Sequence, residues 1–241
     1  MAEEIEEKVE DDGSMPILQH LEELRWRLIK SIIAIAVCSG VAFFFLDEIM
    51  AYITASAGKL YYMQPSEAFF TYMKVTIFCG FLLALPIIFY QMWAFLLPAL
   101  RYGERVVLAI LVPSSVVLFL SGMAFSFFIV LPSAVRFFMG LGTETLAPMF
   151  SVEKYFDFVL AFILPFGAVF ELPLVIIILA KLGFVSSISL QKWFRYIIFF
   201  AFVFGAVVSP TPDIFTQSMI AIPMILLYGI SLGIVKFIMR K

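Results

Sequence analysis

The sequence predicts an all-α fold: a polytopic membrane protein with six transmembrane helices. Three observations carry that prediction. Of the 241 residues, 63% are hydrophobic and the mean hydropathy is +1.06. A soluble domain is about half apolar at most, so this chain holds more apolar surface than one core can hide, and lipid is its solvent. The apolar residues fall in runs, most of them close to the ~20 residues that a helix needs to cross the hydrocarbon layer. Phe supplies 29 residues; it is rare on wetted surfaces and suits lipid-facing and helix-packing positions.

Residues 1–14 carry Glu3, Glu4, Glu6, Glu7, Glu10, Asp11 and Asp12 and almost nothing that packs. They read as a disordered acidic tail. An acidic start is not the basic-then-apolar pattern of a cleavable signal peptide, so none is expected. Residues 15–241 read as one membrane domain. It opens with an amphipathic helix over 16–28, where Leu18, Leu21, Leu24 and Leu28 recur at helical spacing with Glu22, Glu23, Arg25 and Arg27 between them. Spans are then expected at 28–46, 70–93, 106–131, 155–180, 194–208 and 214–235.

The fifth span stands apart. Tyr196 to Val208 is 13 residues, about 20 Å as a helix against ~30 Å of hydrocarbon. A thinned bilayer or a packing partner has to meet that deficit. Trp26, Trp93, Trp193, Tyr155 and Tyr196 fall at span edges and are expected to be interfacial aromatics. Cys38 and Cys79 lie inside apolar runs and read as small core residues. Pro165 and Pro173 predict a kink in the fourth span.

The basic residues give the orientation. One face takes Lys8, Arg25, Arg27, Lys30, Arg101, Arg105, Lys181, Lys192, Arg195, Lys236, Arg240 and Lys241, and the other only Lys59, Lys74, Arg136 and Lys154. This positive-inside bias predicts an inner-membrane protein with both termini in the cytoplasm.

Catalysis finds little to work with. One His in the chain rules out a multi-histidine metal site, and no HExxH, GxSxG or P-loop pattern occurs. No enzyme, metal, cofactor or nucleic-acid partner is expected. Glu171 is the most informative polar residue. It lies ten residues before Lys181, roughly 15 Å along a helix and so near mid-membrane. An acid there costs about 2.5–3.5 kcal/mol to insert. Either a neighbouring helix satisfies it in its protonated form, or it is a contact for a partner helix or a transported group. Asp213 ends the turn Ser209-Pro210-Thr211-Pro212-Asp213 and reads first as a helix cap. Gln217, one turn further in, carries an amide that usually bonds another helix. By spacing alone Glu23 pairs with Arg27 on a helix surface, and Glu104 sits between Arg101 and Arg105.

Four stretches together resemble the TatC family of twin-arginine translocase components. They are His20-Leu21-Glu22-Glu23-Leu24-Arg25-Trp26-Arg27-Leu28; Pro86-Ile87-Ile88-Phe89-Tyr90-Gln91-Met92-Trp93-Ala94-Phe95 running on to Pro98-Ala99-Leu100 and Glu104-Arg105; Phe170-Glu171-Leu172-Pro173; and Pro212-Asp213-Ile214-Phe215-Thr216-Gln217 followed by Ala221-Ile222-Pro223. They occur in the family's order over about residues 15–241. Two places depart from the family pattern, Ser56-Ala57-Gly58 and Arg101-Tyr102-Gly103.

The resemblance implies a cupped arrangement of six helices and a non-enzymatic role. That role is to bind twin-arginine signal peptides of folded cargo, to assemble with TatA- and TatB-type single-span proteins, and to support export driven by the proton-motive force. Self-association stays open. It implies that Glu23 and Glu104 hold the two arginines, with Arg25 and Phe95 beside them. It also implies that Glu171, Asp213 and Gln217 belong to an intramembrane groove for partner contacts. Guanidinium presents planar paired donors that suit a carboxylate, whereas Lys is a point charge. The alternative is a secondary transporter of a small solute, since a proline-flanked Glu171 and a short fifth span resemble broken transporter helices. Against it, the first three spans carry no matching interrupted helix. An intramembrane enzyme finds no nucleophile–base pair, and His20 lies at the surface.

Overall fold

The computed structural model describes residues 17–55, 60–96, 105–140, 149, 151–211 and 213–239. The expected acidic tail and Glu104 lie outside these. The chain runs α1 (Ile17–Phe43), α2 (Leu46–Ala55), α3 (Pro65–Leu96), α4 (Arg105–Phe125), a π-helical turn (Ser126–Val130), α5 (Leu131–Met139), α6 (Val152–Phe170), α7 (Leu172–Lys181), α8 (Ser187–Val208) and α9 (Ile214–Gly233), ending in a second π-helical turn (Ile234–Ile238). Six helical stretches are long and apolar enough to cross a membrane: Gln19–Phe43, Pro65–Leu96, Leu108–Met139, Val152–Lys181, Ser187–Val208 and Ile214–Ile238. The third is therefore composite, α4 and α5 joined through the π turn, and the fourth is α6 followed by α7. The expected six-span all-α fold is what forms.

Several local expectations change. The amphipathic segment and the first span are one continuous helix, because no Pro or Gly interrupts the chain between Ile17 and Ser39. The fifth crossing is not short. Ser186 caps α8, its Oγ accepting from Ser189 N at 3.3 Å, so the helix starts at Ser187 and has 22 residues, about 33 Å. Its first turns are polar, so only its apolar part is short. Trp93 is buried at 3% exposure and Tyr155 at 7%, so both pack between helices and do not face outward. Trp26 and Trp193 are exposed as expected. The kink foreseen near Glu171 is a one-residue interruption of the helix at Glu171.

The core is aromatic. Phe156, Phe162 and Phe166 of α6 are fully buried, with Phe119 set edge-on to both Phe81 and Phe89. With lipid outside, close backbone approach holds such helices together, and small residues permit it. A Cβ at Gly80 would collide with Ser39, joining α3 to α1, and one at Gly122 would collide with the Phe166 carbonyl, joining α4 to α6. At Gly205 a Cβ would meet Gln217 O at 2.9 Å, where α8 crosses α9. A smaller cluster of Ile176, Ala180, Leu190, Tyr228 and Val235 packs the other ends of α7, α8 and α9. There the Tyr228 hydroxyl donates to Leu190 O at 2.9 Å. Val37, Val117, Phe199 and Leu226 lie more than half exposed on the outer surface, as lipid-facing residues do.

At the side reached after the first crossing, polar contacts tie distant segments. Tyr61 and Ser151 form an isolated parallel bridge. Ser151 Oγ donates to Glu67 Oε2 at 3.0 Å. Lys74 of α3 donates to Glu153 Oε1 at 3.0 Å and to Asp157 Oδ1 at 2.7 Å on α6.

Candidate functional site

On α1, His20, Glu23 and Arg27 share one face, since residues three, four and seven apart align on a helix. On α3, Gln91 and Phe95 do the same. The Gly80–Ser39 contact brings α1 against α3, and the two faces meet. Arg27 donates to Glu23 Oε1 from Nε at 2.8 Å and from Nη2 at 2.5 Å. Its Nη1 reaches across to Gln91 Oε1 at 3.3 Å. The His20 imidazole stacks on the Phe95 ring, centroids 4.3 Å apart and planes 13° from parallel. His20 Nδ1 lies 3.8 Å from Glu23 Oε2. That oxygen is buried and makes no hydrogen bond among the described residues, while the Glu23 side chain as a whole is 24% exposed. The carboxylate therefore has one oxygen hydrogen-bonded and one buried without a hydrogen-bond partner among the described residues, beside an aromatic pair.

The structure brings Phe95 near Glu23 through His20. It does not bring in Arg25, which lies two residues from Glu23, about 200° round the helix, and is exposed. The Glu23–Arg27 pair expected from spacing is present, whereas His20 and Gln91 belong to the cluster without having been expected there. The i, i+4 spacing of Gln91 and Phe95 was the available signal.

Trp93 points the other way from α3, its Nε1 donating to Ser115 Oγ of α4 at 2.8 Å in a buried contact. The Ser115 hydroxyl lies beside the Glu171 carboxylate without a normal hydrogen bond to it. Both Glu171 oxygens are buried with no partner among the described residues. Glu171 sits at the break between α6 and α7, ending the first helix and preceding Pro173, which lacks an amide to continue the ladder. The C-terminal half of α3 thus contacts the neighbours of both acids, Gln91 and Phe95 meeting Arg27 and His20 and Trp93 meeting Ser115.

Asp213 caps α9, Oδ1 accepting from Thr216 N at 2.8 Å and Oδ2 from the Thr216 hydroxyl at 2.7 Å. Burial pushes its carboxyl up, but hydrogen bonds from Thr211, Thr216 and Phe215 outweigh this and hold it below the usual carboxylate range. Gln217 is half-buried, and its amide makes no hydrogen bond among the described residues. Its backbone is where α8 approaches through Gly205.

These features define a multi-pass α-helical membrane protein with one polar cluster at a helix end and one unsatisfied acid inside the helical body. Comparison with known proteins gives the particular family. The family described as Sec-independent protein translocase protein (TatC) matches residues 19–223. The chain is 39% identical to the Sec-independent protein translocase protein TatC of Carboxydothermus hydrogenoformans over 96% of this chain and 97% of that one. It is 41% identical to that of Aquifex aeolicus over 94% and 97%. Two crystal structures of the twin-arginine translocase receptor TatC superpose at TM-score 0.80, at 38% and 39% identity, over 90% and 92% of this chain and 100% of each of theirs. The chain belongs to the TatC family of Sec-independent protein translocases. It is a translocase component with a transport role, and secondary transport of a small solute finds no support.

Proposed function

We propose that this chain is the signal-peptide receptor of a twin-arginine translocase, lying in the inner membrane with both termini in the cytoplasm. The observation that carries this is the Glu23 cluster, a carboxylate with one buried oxygen that has no hydrogen-bond partner among the described residues, beside the stacked His20 and Phe95 rings. A guanidinium bonds carboxylates through paired donors and stacks on aromatic faces, so the cluster suits arginine and penalises lysine. Glu104, outside the described residues, supplies the second acid, and Arg25 flanks the pair. Glu171, Asp213 and Gln217 line the groove where TatA- and TatB-type single-span helices dock, and the proton-motive force drives export.

The test is export in cells lacking their own receptor, with a reporter bearing a twin-Arg or a twin-Lys signal peptide. Only the first is expected to be exported. Charge-assisted hydrogen bonds are worth about 1.5–3 kcal/mol, so Glu23→Ala and Glu104→Ala are each expected to weaken crosslinking to the twin-Arg peptide by about tenfold or more. Both variants are expected to accumulate normally. Unchanged crosslinking in both removes these acids from the site.

A further inference from the structure

The Glu23 cluster already holds a guanidinium, and it is the chain's own. Arg27 sets both Nε and Nη2 on the same oxygen, Oε1, at 2.8 and 2.5 Å, and is tethered to a second helix through Gln91 at 3.3 Å. An isolated Glu–Arg pair four residues apart is ordinary helix-surface chemistry. Here two further facts set it apart. The Arg27 and Glu23 side chains are only 23% and 24% exposed, so water screens them less than a surface pair. The remaining oxygen, Oε2, is buried without a hydrogen bond among the described residues, with the His20–Phe95 stack beside it. A side-on fork on one oxygen leaves the carboxylate half used. A fork-to-fork contact, in which an arriving guanidinium takes both oxygens, needs Oε1 to be vacated.

We propose that Arg27 is a built-in competitor for the arginine-binding carboxylate, and that signal-peptide arginine displaces it from Glu23. The proposal rests on the receptor function proposed above. On displacement Arg27 keeps its Gln91 contact, and the arriving guanidinium lies against the His20 and Phe95 rings. No covalent step is involved. The consequence is quantitative. A competitor that fills the site most of the time divides the affinity of every ligand by the same factor. Arg27 therefore lowers affinity without changing the ratio by which twin-Arg is preferred over twin-Lys. A residue that instead held Glu23 in position would raise affinity, and removing it would lose binding.

The experiment uses the full chain in nanodiscs and fluorescently labelled synthetic twin-Arg and twin-Lys signal peptides, with dissociation constants from anisotropy. Arg27→Gln is expected to tighten both peptides by about three- to tenfold with the preference ratio unchanged. Arg27→Lys, which keeps the charge but not the fork, is expected to fall between wild type and Arg27→Gln; it also serves if Arg27→Gln does not accumulate. Glu23→Gln is the control for the site itself. Equal or weaker binding in both Arg27 variants, with Glu23→Gln abolishing the twin-Arg preference, overturns the competitor and leaves the receptor function standing. If Glu23→Gln binds twin-Arg as well as wild type does, the site assignment falls and the competitor with it.

Discussion

An acid buried in a membrane is ordinarily rescued by a neighbour, and Glu171 has none among the described residues. Trp93 Nε1 donates to Ser115 Oγ at 2.8 Å, and the Ser115 hydroxyl lies beside the Glu171 carboxylate. Removing Glu171 leaves the Trp93–Ser115 bond in place and relieves a buried group whose insertion costs about 2.5–3.5 kcal/mol. Replacing an unsatisfied polar group by an apolar one is neutral or stabilising. Glu171→Leu is expected to melt at or above the wild-type temperature and to retain crosslinking to a twin-Arg signal peptide. Export and crosslinking to a TatA- or TatB-type helix are expected to fail. A residue kept for packing behaves oppositely, with lost accumulation and a lowered melting temperature. Normal export in this variant ends the case for a groove contact at Glu171.

At the scale of helices, ends decide more than middles. The turn before α9 is closed by Asp213, with Ser209 Oγ on Thr211 O and the Thr216 hydroxyl at 2.8 Å each. Loss of an N-cap costs about 0.5–2 kcal/mol, so Asp213→Ala is expected to lower the melting temperature, while Asp213→Asn keeps most of the cap. The charge adds a pH dependence of known sign. The Asp213 carboxyl is held below its ordinary value in the fold. Its charge-dependent stabilisation is therefore fully present above the unfolded value of about 3.9 and is lost as pH falls through the lower folded value. The stability gap between wild type and Asp213→Asn is expected to stay flat from neutral pH down to about pH 5 and to close below about pH 4. A gap that closes near neutrality excludes this carboxyl as its source. The Asp213 cap was legible because proline-rich turns ending in Asp precede helices. The span count was legible because apolar runs of membrane length are unambiguous. The start of α8 was not legible, since Ser187 to Arg195 is polar enough to pass for a loop, and only the Ser186 cap marks it. Trp93 was misplaced because an aromatic near a span end suits an interface. Its partner Ser115, 22 residues on, leaves no local trace.

The whole molecule shows why the polar groups of one side resisted a local reading. In the sequence Lys74 is only a charge on one face, yet its partners Glu153 and Asp157 stand 79 and 83 residues away. Together with the Tyr61–Ser151 bridge they tie the segment after the first crossing to the start of the fourth. Cation, acids and bridge gather on the side away from most basic residues, so that side is tied together by paired charge. The positive-inside asymmetry and the even number of crossings support the proposed orientation, with both chain ends in the cytoplasm and the Lys74 cluster outside. Cysteine labelling checks it. In a background with Cys38 and Cys79 replaced, Gly58→Cys and Thr145→Cys are expected to react with a membrane-impermeant maleimide added to intact cells. Gly103→Cys and Ser187→Cys are expected to react only after permeabilisation. Position 187 starts α8 at the same membrane side as the Glu23 cluster, so its protection places the arginine-binding residues where signal peptides are made. The reverse pattern would invert the molecule, put Glu23 on the far side of the membrane and exclude it from meeting cargo before export.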